Sequence, residues 1–226
     1  DPDVFSTFET IIGRNFRGLK KFIRAKNNNA SCVIHNFNTV NYIPKKIIKN
    51  ESVDIIVTSP PYGDSSTTVA YGQFSALTNQ WLGWMENGRA LDKDLMGGVS
   101  AKKRCRFKSD ILNSDIDKVF EIDKKRALEV TSFYRDYQKS IKTICRTIKP
   151  KGIVCYVVSN RNVRGNIMHT DTITKDFFLN NGFNHIETLY RKISNKRLPR
   201  QNSATGKTGK KTELMNNESI IIMQKE

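Results

Sequence analysis

Two consecutive prolines set between hydroxyl groups and a phenol, Thr58-Ser59-Pro60-Pro61-Tyr62, follow directly on the β-branched run Val53 to Val57. Proline fixes φ and lacks a backbone N–H, so the segment presents carbonyl acceptors in a stiff frame beside the Ser59 hydroxyl and the face of Tyr62. Acceptors grouped next to an aromatic plane suit an amine carried on a flat ring. The structural alternative is that Pro-Pro merely ends a strand and Tyr62 covers the core. A second concentration of functional groups is cationic. Arg191, Lys192, Lys196, Arg197, Arg200, Lys207, Lys210 and Lys211 follow one another with no acid between Glu187 and Glu213. Lys102, Lys103, Arg104, Arg106 and Lys108 form a shorter cluster. Charges spaced this tightly track phosphates and release counterions, unless they are simply solvated. Arg197 and Asn202 carry donors suited to groove edges.

Composition fits that reading. Among 226 residues, 38 are Lys or Arg and 22 are Asp or Glu, a net charge of +16 that excludes an acidic solvating tail. Hydrophobic types make up 38% and there are 13 glycines, close to the composition of a folded globular domain. Cys32, Cys105, Cys145 and Cys155 lack C-x-x-C spacing and His35, His169 and His185 are scattered, so reduced, buried thiols are expected and neither zinc nor a disulfide framework is indicated. The N-terminus does not read as a secretory signal, and no apolar run is long enough to span a bilayer, which predicts a soluble intracellular protein.

The elements that would position these groups read as α/β. Phe8, Ile11, Ile12, Phe16, Leu19, Phe22 and Ile23 predict an amphipathic helix over 7–26. Residues 31–35 read as a short strand, and 53–59 as a strand buried on both faces. Residues 63–114 are polar and glycine-containing, an insertion over one edge of the sheet. Val130, Phe133, Tyr137, Ile141, Ile144 and Ile148 share one stripe of a long helix stopped by Pro150-Lys151-Gly152. A strand over 153–159, a helix over 172–181 closed by Gly182 at C′, and strands over 185–193 and 218–225 complete a sheet with an antiparallel end. No composition shift marks a domain boundary. Gly206-Lys207-Thr208 is no phosphate loop, because Gln201 stands where the earlier glycine is required.

Ser59-Pro60-Pro61-Tyr62 after an apolar strand resembles the catalytic motif of the DNA amino-methyltransferases, in which the Ser form is mostly associated with cytosine N4 and Asp or Asn forms with adenine N6. Ile148-Lys149-Pro150-Lys151-Gly152 is similar to the family's LKPGG turn, and the last two strands to its terminal antiparallel pair. The resemblance covers about residues 31–226. It implies a Rossmann-like S-adenosylmethionine-dependent methyltransferase fold, three-layered with an antiparallel terminal strand. One methyltransferase domain would span 1–226, with a DNA-contacting insertion at about 63–114 and a basic loop at about 191–212. The implied activity is transfer of methyl from S-adenosylmethionine to cytosine N4 of double-stranded DNA, in a restriction-modification setting and a cytoplasmic, nucleoid-associated location. An extruded base would stack on Tyr62, with Ser59 and the Pro60 carbonyl accepting from its amine and Pro61 stiffening the rim. Phosphate contacts fall to Lys102, Lys103, Arg104, Arg106, Lys196, Arg197, Arg200, Lys207, Lys210 and Lys211. Adenine-N6 transfer, an RNA or protein amine methyltransferase, and a non-catalytic DNA-binding subunit are the competing readings.

The family's glycine-rich cofactor turn, D-P-F-x-G-x-G, has no counterpart here, since no two glycines are spaced G-x-G. Asn36, where many members place an Asp near the cofactor's adenine, and Thr58 are the cofactor-binding candidates. The fold is therefore expected to lack its first two strands, leaving an open edge on the strand that carries the motif. A second methyltransferase subunit or a longer chain would supply them, in preference to a replacement within residues 1–30.

Overall fold

The computed structural model describes residues 3–26, 29–64, 71–84, 86–87, 90–193, 201–202, 212–213 and 217–226. Internal contacts divide the chain into two units, Asp1–Asn36 and Phe37–Glu226, a division that composition does not announce. The first holds helix α1 (Val4–Ala25), started by the Asp3 side chain accepting from the Ser6 amide at 3.1 Å. No residue of α1 is buried. The strand expected over 31–35 is irregular chain with Val33 and Ile34 exposed. A short apolar run becomes a strand only where an edge accepts its backbone, and no strand of the described sheets includes these residues.

The second unit runs β1 (Val53–Thr58), α2 (Tyr71–Trp81), α3 (Leu91–Asp94), α4 (Asp110–Ile122), α5 (Lys124–Cys145), β2 (Ile148–Val158), β3 (Arg161–Val163), β4 (Asn166–Met168), α6 (Thr170–Leu179), β5 (Phe183–Lys192), β6 (Gln201–Asn202), β7 (Thr212–Glu213) and β8 (Asn217–Lys225). The main sheet has the order β1-β2-β8-β5, parallel between β1 and β2 and antiparallel thereafter. The α/β architecture with an antiparallel end is thus present. Two boundaries differ from expectation. Helix α5 ends at Cys145, and Pro150-Lys151-Gly152 lies inside β2, because the register jumps from Val53 opposite Ile148 to Ile55 opposite Ile153. The proline sits in that bulge, where no ladder hydrogen bond is required of it. A Cβ on Gly152 would lie 2.7 Å from Ile148 Cγ2. Gly182 has φ +77° but follows Asn181, one position beyond C′, since Asn180 is the C-cap.

Of the α5 stripe, Val130, Phe133, Tyr137 and Ile141 are fully buried, and Tyr134 joins them. Leu112, Ile116 and Val119 of α4 and Ile173, Phe177 and Phe178 of α6 belong to the same core, which covers Val154, Tyr156, Val158, Ile221 and Met223 of the sheet. Two of the buried phenols are satisfied by α6: Tyr134 and Tyr137 each lie 2.9 Å from a threonine hydroxyl, Thr170 and Thr174. The opposite sheet face carries Ile55 and Val57, 57% and 69% exposed, beside Cys155, Val157, Ile220 and Ile222. β1 is not buried on both faces. Among the cysteines, Cys145 alone is fully buried while Cys32 and Cys105 are exposed, which corrects the expectation of buried thiols throughout. No described helix is long and apolar enough to cross a membrane.

Phe178 lies 4.9 Å from the Tyr156 ring and 5.3 Å from the Phe183 ring, joining α6 to both β2 and β5. Phe178→Ala is expected to lower the unfolding free energy by about 3–5 kcal/mol, measured by urea denaturation, by emptying a dry aromatic site.

Candidate functional site

β1 and β2 run in the same direction, so both finish at one end of the sheet, where Thr58 pairs with Tyr156. The Pro-Pro segment leaves from there, at the strand end where open α/β sheets place their ligands. Ser59 is exposed, and Pro60, Pro61 and Tyr62 are half-buried. The Tyr62 side chain packs against the core, and its hydroxyl lies 3.1 Å from Ser59 Oγ. The same hydroxyl donates to Glu218 Oε1 at 2.9 Å. Glu218 is the second residue of β8, which enters at this end because it runs antiparallel to β2, and Arg191 faces it in register on β5. Arg191 Nε donates to Glu218 Oε2 at 3.0 Å, and a second guanidinium nitrogen pairs with the same oxygen. Burial pushes the Tyr62 phenol above its ordinary pKa; the Ser59 hydrogen bond opposes this and Glu218 reinforces it. The hydrogen bond from Arg191 holds Glu218 below the usual carboxylate range against partial burial, with Tyr62 assisting.

A buried ionic cluster fixes the turn that follows. Asp64 is wholly buried, with Oδ2 2.9 Å from Arg126 Nη2 of α5 and 3.2 Å from Arg161 Nη1 of β3. Arg126 also holds Glu129 at 2.7 Å. Burial alone would lower the Arg126 pKa; Asp64 and Glu129 outweigh it and raise it. Gly97, at φ +69°, completes the clamp: a Cβ there would lie 2.9 Å from Asp64 Cβ and 3.0 Å from the Phe133 backbone. The chain near Gly97 can approach the turn only without a side chain.

The structure brings Thr58, Ser59, Pro60, Pro61 and Tyr62 together in one rim where β1 ends. Asn36 ends the first unit in exposed irregular chain. Lys102 and Lys103 are exposed. Arg104 and Arg106 both pair with Asp117 of α4, at 2.6 and 2.8 Å, and the Arg104 guanidinium lies 3.8 Å from the centre of the Phe120 ring. Lys196, Arg197, Arg200, Lys207, Lys210 and Lys211 lie outside the described residues. Within the expected basic loop, β6 pairs with β7. Glu218, Asp64, Arg126 and Arg161 are not among the sequence candidates, and Arg191 enters there only as the first member of the basic run. Asp64 stands only two residues beyond Tyr62; the remaining partners are joined to the motif only by the fold.

No protein-family model matches the chain. It is 40% identical over 246 aligned residues to the type II methyltransferase M.MvaI of Kocuria varians, an alignment taking in 99% of this chain and 52% of that protein. The chain thus spans about half the length of this curated relative. Among solved structures, TTHA0409 of Thermus thermophilus, assigned as a DNA modification methylase, gives a TM-score of 0.41 at 14% identity, covering 84% of this chain and 52% of that one. The same protein complexed with S-adenosyl-L-methionine gives 0.41 at 13% identity, covering 84% and 54%.

Asp64→Asn removes the charge that Arg126 and Arg161 share while keeping the side-chain volume. It is expected to cost about 3–5 kcal/mol of stability in urea denaturation, the effect of breaking a buried ion pair from one side. A loss below about 1 kcal/mol would place the anchoring of this turn elsewhere.

Proposed function

We infer that the chain is the catalytic and target-contacting portion of a DNA methyltransferase that methylates the exocyclic N4 of cytosine, in a restriction-modification setting. One observation carries the reading: the exposed Ser59 hydroxyl and the Tyr62 ring sit together on a proline-stiffened rim where β1 and β2 end. A base inside a duplex cannot reach such a rim, so the target is extruded and laid against Tyr62. Ser59 Oγ and the Pro60 carbonyl accept from the amine, turning its lone pair outward for in-line attack. The identity to M.MvaI supports methyl transfer, and the Ser form of the motif supports cytosine.

S-adenosylmethionine, the methyl donor of this reading, supplies a sulfonium-activated methyl group. The rim fits the acceptor end of that exchange. Of the two cofactor candidates, only Thr58 belongs to the unit that carries the rim, and no turn of the G-x-G kind lies in the sequence to cradle the nucleoside. The exposed Ile55 and Val57 on β1 suit a covering layer, which in this reading another segment or a second methyltransferase subunit provides together with the cofactor cradle.

Phosphate attraction is a separate task. Lys102 and Lys103 are its described carriers, with the lysines and arginines of 196–211 proposed beside them, whereas Asp117 already engages Arg104 and Arg106.

Two experiments follow. Mass spectrometry of digested DNA after incubation with labelled cofactor and any copurifying partner is expected to find N4-methylcytosine. Ser59→Ala and Tyr62→Ala are expected to lose about a hundredfold or more of that activity while retaining DNA affinity within a few-fold. Methyladenine alone would replace the cytosine assignment, and binding without any methylation would indicate a non-catalytic subunit. The second reads affinity against salt concentration. Lys102→Ala combined with Lys103→Ala is expected to reduce the slope of log K against log salt by about 1.8, and Asp117→Asn to steepen it by releasing Arg104 and Arg106. A slope unmoved by either change would take this cluster out of the interface.

A further inference from the structure

The geometry points to Glu218 as a positioning residue that, acting through Tyr62, fixes the direction of the Ser59 hydroxyl so that the rim offers lone pairs and no proton. A carboxylate accepts and cannot donate, so the 2.9 Å contact consumes the single proton of the Tyr62 hydroxyl. Tyr62 Oη then has only lone pairs left for Ser59, 3.1 Å away, and the single Ser59 proton must point to it. What remains of Ser59 at the exposed rim is acceptor. Such a surface holds an exocyclic NH₂ and repels a carbonyl oxygen at the same ring position, because two acceptors face each other with nothing between them. Discrimination between amine-bearing and carbonyl-bearing bases would thus be set by a side chain 156 residues from the tyrosine it orients.

Arg191 keeps the arrangement ionised. It faces Glu218 across the β5–β8 pair and binds the oxygen that Tyr62 does not use. Among the described residues, further polar groups flank this corner. Lys192 follows Arg191 on β5, and Asp171 of α6 lies 3.3 Å from the hydroxyl of Ser219, the next residue on β8. On the β2 side, the Ser159 hydroxyl donates to the Asn217 carbonyl at 2.6 Å. The carboxylate form, and with it the one-way arrangement, is present above the Glu218 pKa and lost as pH falls through it. That pKa lies below the ordinary glutamate range, so the arrangement survives into mildly acidic solution.

This inference rests on the proposed amine chemistry for its purpose but not for its first test. In the full chain carrying ¹³Cζ-labelled tyrosine, the Tyr62 resonance, identified by its loss in Tyr62→Phe, is expected to shift on acid titration. The step should move to higher pH in Arg191→Met and vanish in a folded Glu218→Gln protein. A resonance flat through the acid range, or a step that persists in Glu218→Gln, overturns the proton arrangement whether or not the protein methylates anything. In the methylation assay, Glu218→Gln is expected to lower kcat about tenfold or more with KM for DNA changed less than about twofold, and Glu218→Asp to recover part of the loss. Because the effect passes through the Tyr62 hydroxyl, adding Glu218→Gln to Tyr62→Phe should cost nothing further; an additive loss overturns the route. If the titration step appears and no methylated base is found, the hydrogen-bond direction stands and the proposed function falls.

Discussion

The direction of one strand governs this site. β8 lies between β2 and β5 and runs antiparallel to both, so its first residues arrive where β1 and β2 finish. Were β8 parallel to β2, Glu218 would start at the opposite end of the sheet and the motif would face no carboxylate. Because the strand is reversed, Glu218 meets both the Tyr62 hydroxyl and the guanidinium that faces it across the ladder. The strand also carries Ile221 and Met223 into the core a few residues later, so the placement of Glu218 is tied to the burial of those side chains. A one-residue slip would send Ile221 and Met223 outward and swing Glu218 to the other face.

Rigidity comes from a different source at each step along the motif. The prolines fix φ at two positions without help from neighbours. Tyr62 is held by apolar packing on one side and by hydrogen bonds at its tip. Asp64 is held by charge, with two guanidinia on one buried oxygen. Desolvating three ions costs several kcal/mol each, so the cluster is a poor source of net stability, and its effect lies in geometry. A turn clamped to both α5 and β3 cannot drift, and reactive alignment degrades steeply with displacements of about an ångström. Gly97 completes the clamp, since any larger residue there would push against Asp64 itself.

The sequence made legible what depends on local pattern. The β-branched run 53–58, the α5 stripe and the two terminal strands emerge from periodicity, and the rim from residue type alone. Helix α4 was within reach: Ser109 accepts from the Leu112 amide as an N-cap, and Leu112, Ile116 and Val119 recur at spacings of four and three, yet the glycines and charges before it masked the pattern. The bulge in β2 was not legible, because Pro150-Lys151-Gly152 carries the same breaker signal whether it ends a helix or bends a strand; the register with β1 decides. Nor could Glu218 be found. A lone glutamate near the start of an apolar strand acquires meaning only from what the sheet sets beside it.

Charge illustrates the same limit from the other side. The net charge of +16 predicts attraction to an anionic partner, and attraction of that kind needs no fixed geometry. Individual cations within the total do not act alike. Arg191 faces a carboxylate that orients a tyrosine, Arg104 and Arg106 share Asp117, and Arg126 and Arg161 are committed to Asp64. These five arginines direct their charge within the protein, three of them holding the segment that would receive the base. Exposed lysines are the better carriers of the long-range field: their hydrated ammonium groups bind phosphate as point charges, whereas the planar guanidinium is suited to a fixed bidentate partner. Composition alone counts both residue types as basic and so cannot separate a solvated cation from one paired within the fold; the distances to Glu218, Asp117 and Asp64 do.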